Sequence, residues 1–196
     1  MLNLKLQLTG EYMNTFLKIT GLLVLALAVI PLFLSSHFSM TRAIEINAPV
    51  LTVFSKLSDL NEYNKWNPFP EGDSTNQTYV TGLGVGSTLI WKCNKTGEGK
   101  MTITGINPNK SVDVKMEFYK PMSGEGLVRW VLNSKSDSVT EMVWSFEQGL
   151  PYFSRYFGLV MDSMMGKHFE KGLLNYKALV ESQAKLRVEN ELGNIE

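Results

Sequence analysis

The chain of 196 residues carries one cysteine, Cys93, and two histidines, His37 and His168. A single thiol makes no internal disulfide and builds no multi-cysteine zinc site. Only His168 falls well inside the presumed domain, so a histidine-based metal centre is not expected. Net charge is missing as well, because 19 Lys+Arg are balanced by 19 Asp+Glu. Chains that bind nucleic acid usually gather a basic surplus on one face, so no nucleic-acid partner is expected. Gly82, Gly84 and Gly86 do not form a phosphate loop: Lys92 comes too late and no helix follows. No cofactor is expected. Internal repeats and low-complexity linkers are also absent, and the length fits one domain with an appendage.

Apolar residues are plentiful, at 44% hydrophobic, and one segment inflates the figure. "FLKITGLLVLALAVIPLFLSSHF" runs from Phe16 to Phe38 with no charge between Ile19 and Leu34. With its flanks it reaches the roughly 20 residues that a membrane helix needs. A buried helix of a soluble protein would show a polar face, and this run has none. A cleaved signal peptide calls for a shorter apolar region and small residues before the cut, for which Leu34-Ser35-Ser36 is a poor match. The expectation is an uncleaved single-pass anchor over 16–36, behind a short tail of residues 1–15. Pro31 should kink its end. Lys5 and Lys18 precede the span, while Arg42 and Lys56 follow it. The positive-inside tendency then leaves the N-terminus in the cytoplasm and the domain outside it.

Residues 39–183 read as the domain, and 184–196 as a tail that frays. "MTRAIEI" alternates with a period of two, Arg42, Ile44 and Ile46 sharing one side, which predicts a first strand. Pro49 suits the first turn of a helix, and Val50, Val53, Phe54 and Leu57 recur at helical spacing. Strand patterns follow in "GVGSTLIWKCN", "GEGKMTITGI", "SVDVKMEFYKP", "GEGLVRWVLNS" and "SVTEMVWSFEQ". Their hairpin-like spacing predicts an antiparallel meander. From about Phe157 to Gln183, Met161, Met165, Phe169, Leu173, Tyr176 and Val180 form the apolar stripe of a long helix. The fold class is therefore α+β: a curved antiparallel sheet of about six or seven strands wrapped on a long C-terminal helix, preceded by a transmembrane helix.

Several of these pieces carry a resemblance: "IEINAPVLTVFSKLSDLNEYNKWNPF", "GVGSTLIWKCNKTGEGKMTITGINP", "FYKP" around Pro121, "TEMVW" and "MGKHFEKGLLNYKALVE". From Met40 to Glu181 the chain resembles the START/Bet v 1-like (SRPBCC) superfamily, and within it the polyketide cyclase/dehydrase and lipid transport group. The resemblance implies the helix-grip fold and a cavity between sheet and helix that takes apolar or lipid-like small molecules. It does not imply one reaction, since fold does not fix function.

Strand parity turns Leu89, Trp91, Met101, Ile103, Val112, Val114, Met116, Phe118, Trp130 and Trp144 inward. Arg129, Asp113, Glu117 and Glu141 fall on the other faces. No pair of inward carboxylates results, so no catalytic residue is assigned and the chain leans away from being an enzyme. Arg129 and Arg155 read as surface charges or as contacts to a ligand head group. "LNEYNKWNPFP" brings Trp66 and Phe69 into a proline-bounded segment, where they either plug one end of the core or gate a cavity mouth. The candidate ligand-binding residues are Trp66, Phe69, Trp91, Met101, Met116, Phe118, Trp130, Trp144, Met161, Met165 and Phe169; simple core packing is the alternative for each. Three functions follow: a membrane-tethered module binding an apolar molecule, a cyclase- or dehydratase-like enzyme, and a ligand-free structural or stress-related interaction domain.

Overall fold

The computed structural model describes the backbone of residues 2–193 and the side chains of residues 12–185. Helix α1 (Leu2–Val29) is followed by a 3-10 turn, Ile30–Phe33, and strand β1 (His37–Ile46). Two short helices, α2 (Val50–Leu57) and α3 (Leu60–Tyr63), come next. Six strands then follow in sequence: β2 (Gln77–Thr81), β3 (Thr88–Cys93), β4 (Gly97–Asn107), β5 (Ser111–Lys120), β6 (Gly124–Ser136) and β7 (Val139–Gly149). The long helix α4 (Arg155–Gly193) closes the described chain. The seven strands make one sheet in the order β1-β7-β6-β5-β4-β3-β2, antiparallel throughout. This is the helix-grip arrangement: a meander whose first strand returns to pair with the last, with one long helix across the concave face.

Apart from the edge strand β2, each strand forms where one face must be buried and the other wetted. On β7, Thr140, Met142, Trp144 and Phe146 are buried and their alternate neighbours are half-buried. β5 follows the same logic at Val112 and Val114, and β6 at Val128, Trp130 and Leu132. The wet face is stitched by ion pairs across strands, Arg129 with Asp113 at 3.1 Å and Lys100 with Glu117 at 2.8 Å. Register shifts at Glu98/Gly99 and Ile103/Gly105 bend β4 and so curve the sheet. β2 is the strand that no alternation announced. It is an edge strand whose residues are all half-buried or exposed, and so it has no apolar face to advertise.

Helix α4 lies on the sheet through Phe169, Leu173, Tyr176 and Val180, all buried. Polar contacts hold it to β1. Arg42 reaches Asp162 at 2.8 Å and Glu170 at 3.2 Å, while the backbone N–H of Asn47 donates to Glu181 at 2.7 Å. Close approach needs Gly172, where a Cβ would sit 2.8 Å from the Trp144 ring and 3.2 Å from Pro68. The helix is longer than its apolar stripe, since the backbone stays helical to Gly193.

Trp66 is the hub of the core. The Asp59 side chain caps α3 by accepting from the Asn61 N–H at 2.9 Å, and Trp66 N–H then bonds Tyr63 C=O at 3.1 Å. This turns the indole inward, where it is 1% exposed. Its ring lies 4.7 Å from Tyr63, 5.8 Å from Trp130, 5.3 Å from Trp144 and 5.0 Å from Tyr176, each edge to face. One side chain thus ties α3, β6, β7 and α4 together. Tyr176 adds a hydrogen bond of 2.5 Å to Val53 C=O in α2, and burial pushes its phenol pKa up. A second, polar hub is Asp73. Its carboxylate accepts from Thr75 Oγ1 at 2.5 Å, Thr75 N–H at 2.8 Å, Lys95 N–H at 2.8 Å and Cys93 Sγ at 3.1 Å. It thereby pins the segment before β2 to the β3–β4 turn.

Two stability predictions follow from these hubs. Trp66→Ala should cost about 3–5 kcal/mol, the range for truncating a fully buried aromatic, read as a fall in the urea midpoint in micelles. The Thr75 hydroxyl and N–H, with Cys93 and Lys95, hold the Asp73 pKa well below the usual carboxylate range. A depressed folded value means that the stabilisation is complete above the unfolded pKa and is lost as pH falls toward the folded one. Asp73→Asn should therefore lower the midpoint at neutral pH, and the gap to the parent should close as pH drops below about 4. A gap of the same size at acid pH would mean that the charge is not what holds the loop.

Candidate functional site

The grip of α4 on the sheet is uneven. Below, Phe169, Leu173 and Tyr176 are buried; above, Met161 and Met165 are half-buried and Met164 is exposed. Where the helix stands away, a cavity of about 420 Å³ opens between it and the sheet. Its sheet wall is made by Trp91, Met101, Met116, Phe118, Trp130 and Trp144, its helix wall by Met165 and Phe169, and its mouth carries Phe69. These are all the predicted ligand-binding residues except two. Trp66 lies behind this lining, inside the aromatic cluster. Met161 lines a second opening of about 620 Å³, which shares Phe118, Pro121, Phe146 and Met165 with the first and extends to the start of α4.

The two rings of the proline-bounded segment have thus separated. Trp66 is packed on all sides, whereas Phe69 is half-buried and stacks on His168 with ring centroids 5.4 Å apart and planes 7° from parallel. His168 Nδ1 lies 3.2 Å from Met164 C=O, so this imidazole belongs to the rim. Trp91 lies flat over Gly99, its β4 partner, where a Cβ would fall 2.2 Å from the indole. The glycine lets that ring lie down against the strand.

The inward residues named from parity include most of the strand-borne lining, Leu89 among them, but not Val128 and Phe146. Parity could not find Asn67, Asn76, Thr96 and Pro121, which come from loops that carry no period. The lining holds no carboxylate, imidazole, ammonium or guanidinium among the described residues. Its polar side chains are Asn67, Asn76, Thr96, the Tyr63 phenol and the indoles, and burial pushes the Tyr63 phenol pKa up, so it stays protonated. Arg129 and Asp113 pair on the outer face, and Glu141 is held there by Asn133 at 2.9 Å and Lys135 at 3.2 Å. No group of three or more metal-ligating side chains occurs among the described residues.

The most informative polar atoms are donors. Nε1 of Trp66, of Trp130 and of Trp144 are buried and have no hydrogen-bond partner. A buried N–H without an acceptor typically costs about 1–3 kcal/mol, and only part of that is offset by edge-to-face contact among the rings. Trp130 and Trp144 are also cavity residues. Their N–H groups are nevertheless closed off within the aromatic cluster, so the polar groups open to the lumen are those of Asn67, Asn76, Thr96 and Tyr63.

Arg155 has a different place from either expected one. It is half-buried, its guanidinium lies 5.4 Å over the Tyr152 ring, and its Nη1 donates to Pro31 C=O at 2.8 Å. Tyr156 donates to Leu27 C=O at 2.9 Å, and Tyr152 donates to Ala28 C=O. Leu150 N–H completes the set, donating to Ser36 C=O at 2.7 Å. The start of α4 and the residues just before it thus dock on carbonyls at and just beyond the end of α1.

Comparison with known proteins agrees with this geometry. Norcoclaurine synthase of Thalictrum flavum, solved in complex with dopamine and hydroxybenzaldehyde, superposes with a TM-score of 0.59 at 14% identity, covering 78% of this chain and 91% of that one. The Zhui aromatase/cyclase of a Streptomyces strain gives 0.58 at 14% identity, with 74% and 94% covered. A protein of unknown function from Enterococcus faecalis gives 0.51 at 16% identity, with 83% and 88% covered. At such identities these likenesses speak for the fold alone. No curated protein matches the chain. The family model for polyketide cyclase/dehydrase and lipid transport proteins matches residues 37–181, almost the whole of the domain, and the chain belongs to that family.

Proposed function

We propose that this protein is a membrane-tethered binding module that holds an apolar small molecule carrying at least one hydrogen-bond acceptor. The observation that carries the reading is the cavity between sheet and α4, about 420 Å³, walled by aromatic and methionine side chains and free of charged ones among the described residues. Such a site favours transfer of an apolar body out of water. The methionines suit a wall that adapts to its guest. The Asn67 and Asn76 amides, the Thr96 hydroxyl and the Tyr63 phenol on the lining add the preference for an acceptor, because each can donate to a guest carbonyl or ether oxygen. A cyclase or dehydratase would need an ionisable group against its substrate, and the cavity lining lacks one among the described residues. A ligand-free interaction domain would be better served by a filled core.

The tether is α1. Tyr12–Phe33, 22 residues, is long and apolar enough to cross a membrane. Lys5 and Lys18 before it favour an N-terminus in the cytoplasm and a domain outside it.

Fluorene and 9-fluorenone, of near-identical shape, differ in one acceptor and make a direct test. With the full chain in nanodiscs, and with partition into empty nanodiscs subtracted, both should bind. Fluorenone should bind about fivefold tighter, the value of one neutral hydrogen bond near 1 kcal/mol. Asn76→Leu combined with Thr96→Val should shrink that advantage, and Met116→Trp should block both ligands by filling the space. Equal affinities would remove the acceptor preference, and failure of both to bind would remove the cavity as a binding site.

A further inference from the structure

We infer that the opening of the cavity rests on the bilayer, so that the apolar ligand passes between lipid and cavity without crossing water. The inference rests on the reading that Tyr12–Phe33 spans a membrane, and it adds where the domain must then sit. Tyr156 and Tyr152 donate to the carbonyls of Leu27 and Ala28, which lie inside that span and not beyond it. From Leu27 to Phe33 is six residues, about 9 Å along a helix axis at 1.5 Å per residue. The first turn of α4 is therefore held at the depth of the membrane boundary. Tyrosine, with its apolar body and polar tip, is the residue that such a depth favours.

The helix side of the surface around that turn is apolar, while Lys120, Glu125 and Gln148 stand on the strand side of the opening, at headgroup reach. Between Leu150 and Met161 the only charged residue is Arg155, and its guanidinium is turned to Pro31 C=O. Phe153, Phe157, Val160 and Met164 follow one another at helical spacing and are 68%, 51%, 45% and 62% exposed. Four large apolar side chains in one exposed stripe are costly in water and favourable at a headgroup–acyl boundary. The same stripe borders the second opening: Phe157 and Met164 line it on the helix side, and Met122, itself 57% exposed, lines it from the β5–β6 turn. That opening runs into the main cavity through Phe118 and Met165. Anchor, apolar stripe and opening thus lie at one end of the molecule. The β4–β5 turn lies at the other, because adjacent antiparallel strands place consecutive turns at opposite ends.

The full chain, reconstituted in phosphatidylcholine/phosphatidylglycerol vesicles with an environment-sensitive fluorophore on a single introduced cysteine, tests this; native Cys93 is buried. Labels at Phe157→Cys and Met122→Cys should lose fluorescence to a doxyl group carried on the lipid, as a label at Leu25→Cys in α1 does. A label at Lys110→Cys, in the β4–β5 turn, should not. Quenching at Leu25→Cys with none at Phe157→Cys and Met122→Cys would overturn the inference and leave the span intact. Shielding of those two labels from aqueous iodide without quenching by lipid would assign the stripe to a second copy or another protein, and would also overturn it. No quenching at Leu25→Cys would remove the span itself and the inference with it.

Discussion

The separation between helix and sheet is set by one side chain. Trp66 stands between α4 and the sheet and touches Tyr176 on one side and Trp130 and Trp144 on the other. An indole is too thick to let the two layers collapse onto each other, and a packed interior does not deform to close the remaining space. Toward the C-terminal half of α4 the gap is filled by Phe169, Leu173, Tyr176 and Val180. Toward its start the filling side chains are methionines that stay half-buried or exposed, and the gap remains. The wedge therefore acts as a spacer: it secures the fold at one end and leaves room at the other. That is why Trp66 reads as core while its sequence neighbour Phe69, three residues on, reads as rim.

The character of the room follows from how a curved antiparallel sheet manages charge. Every second residue of a strand faces away from the helix, and the sequence gives those positions its lysines, aspartates and glutamates, which pair with one another across strands at 2.8 to 3.1 Å. The concave face is left apolar by the same alternation. The exception is Arg42, which shares a side with Ile44 and Ile46, yet its charge is answered from the helix by Asp162 and Glu170. Being exposed, such a network contributes little as ion pairing. Its use is positional, because it fixes the first strand under the helix, away from the cavity. What polarity the cavity keeps comes from the Asn67 and Asn76 amides, the Thr96 hydroxyl and the Tyr63 phenol, while the indole N–H groups of Trp130 and Trp144 are closed off within the wall.

Period-two alternation exposed the sheet because one face is buried against a helix, and a one-residue slip would have turned every core side chain to water. The same rule explains what stayed hidden. β2 has neither face buried, so "QTYVT" looks like a loop. Asn67, Asn76 and Thr96 enter the cavity from turns, where no period links neighbours. The different fates of Trp66 and Phe69 depend on a single helical turn capped by Asp59, a local event that then points the two rings at different depths. Arg155 was legible as a charge but not as a partner of Pro31, since 124 residues separate them and only the folded chain brings them together.

The docking of α1 bears on what the proposed tether would do. A flexible linker would leave the domain to sample all orientations above a membrane, and its cavity would meet the surface only by chance. Here the chain turns from α1 into β1 within a few residues, and donors from Tyr152, Arg155 and Tyr156 close onto carbonyls at the end of α1. A guanidinium at that end also opposes the negative pole of the helix dipole. Helix α1 and the long helix that walls the cavity are thus joined at one point. The start of α4 is also the segment that borders the opening. On the proposed reading, the membrane-spanning and ligand-holding parts then form one unit, with the opening next to their junction.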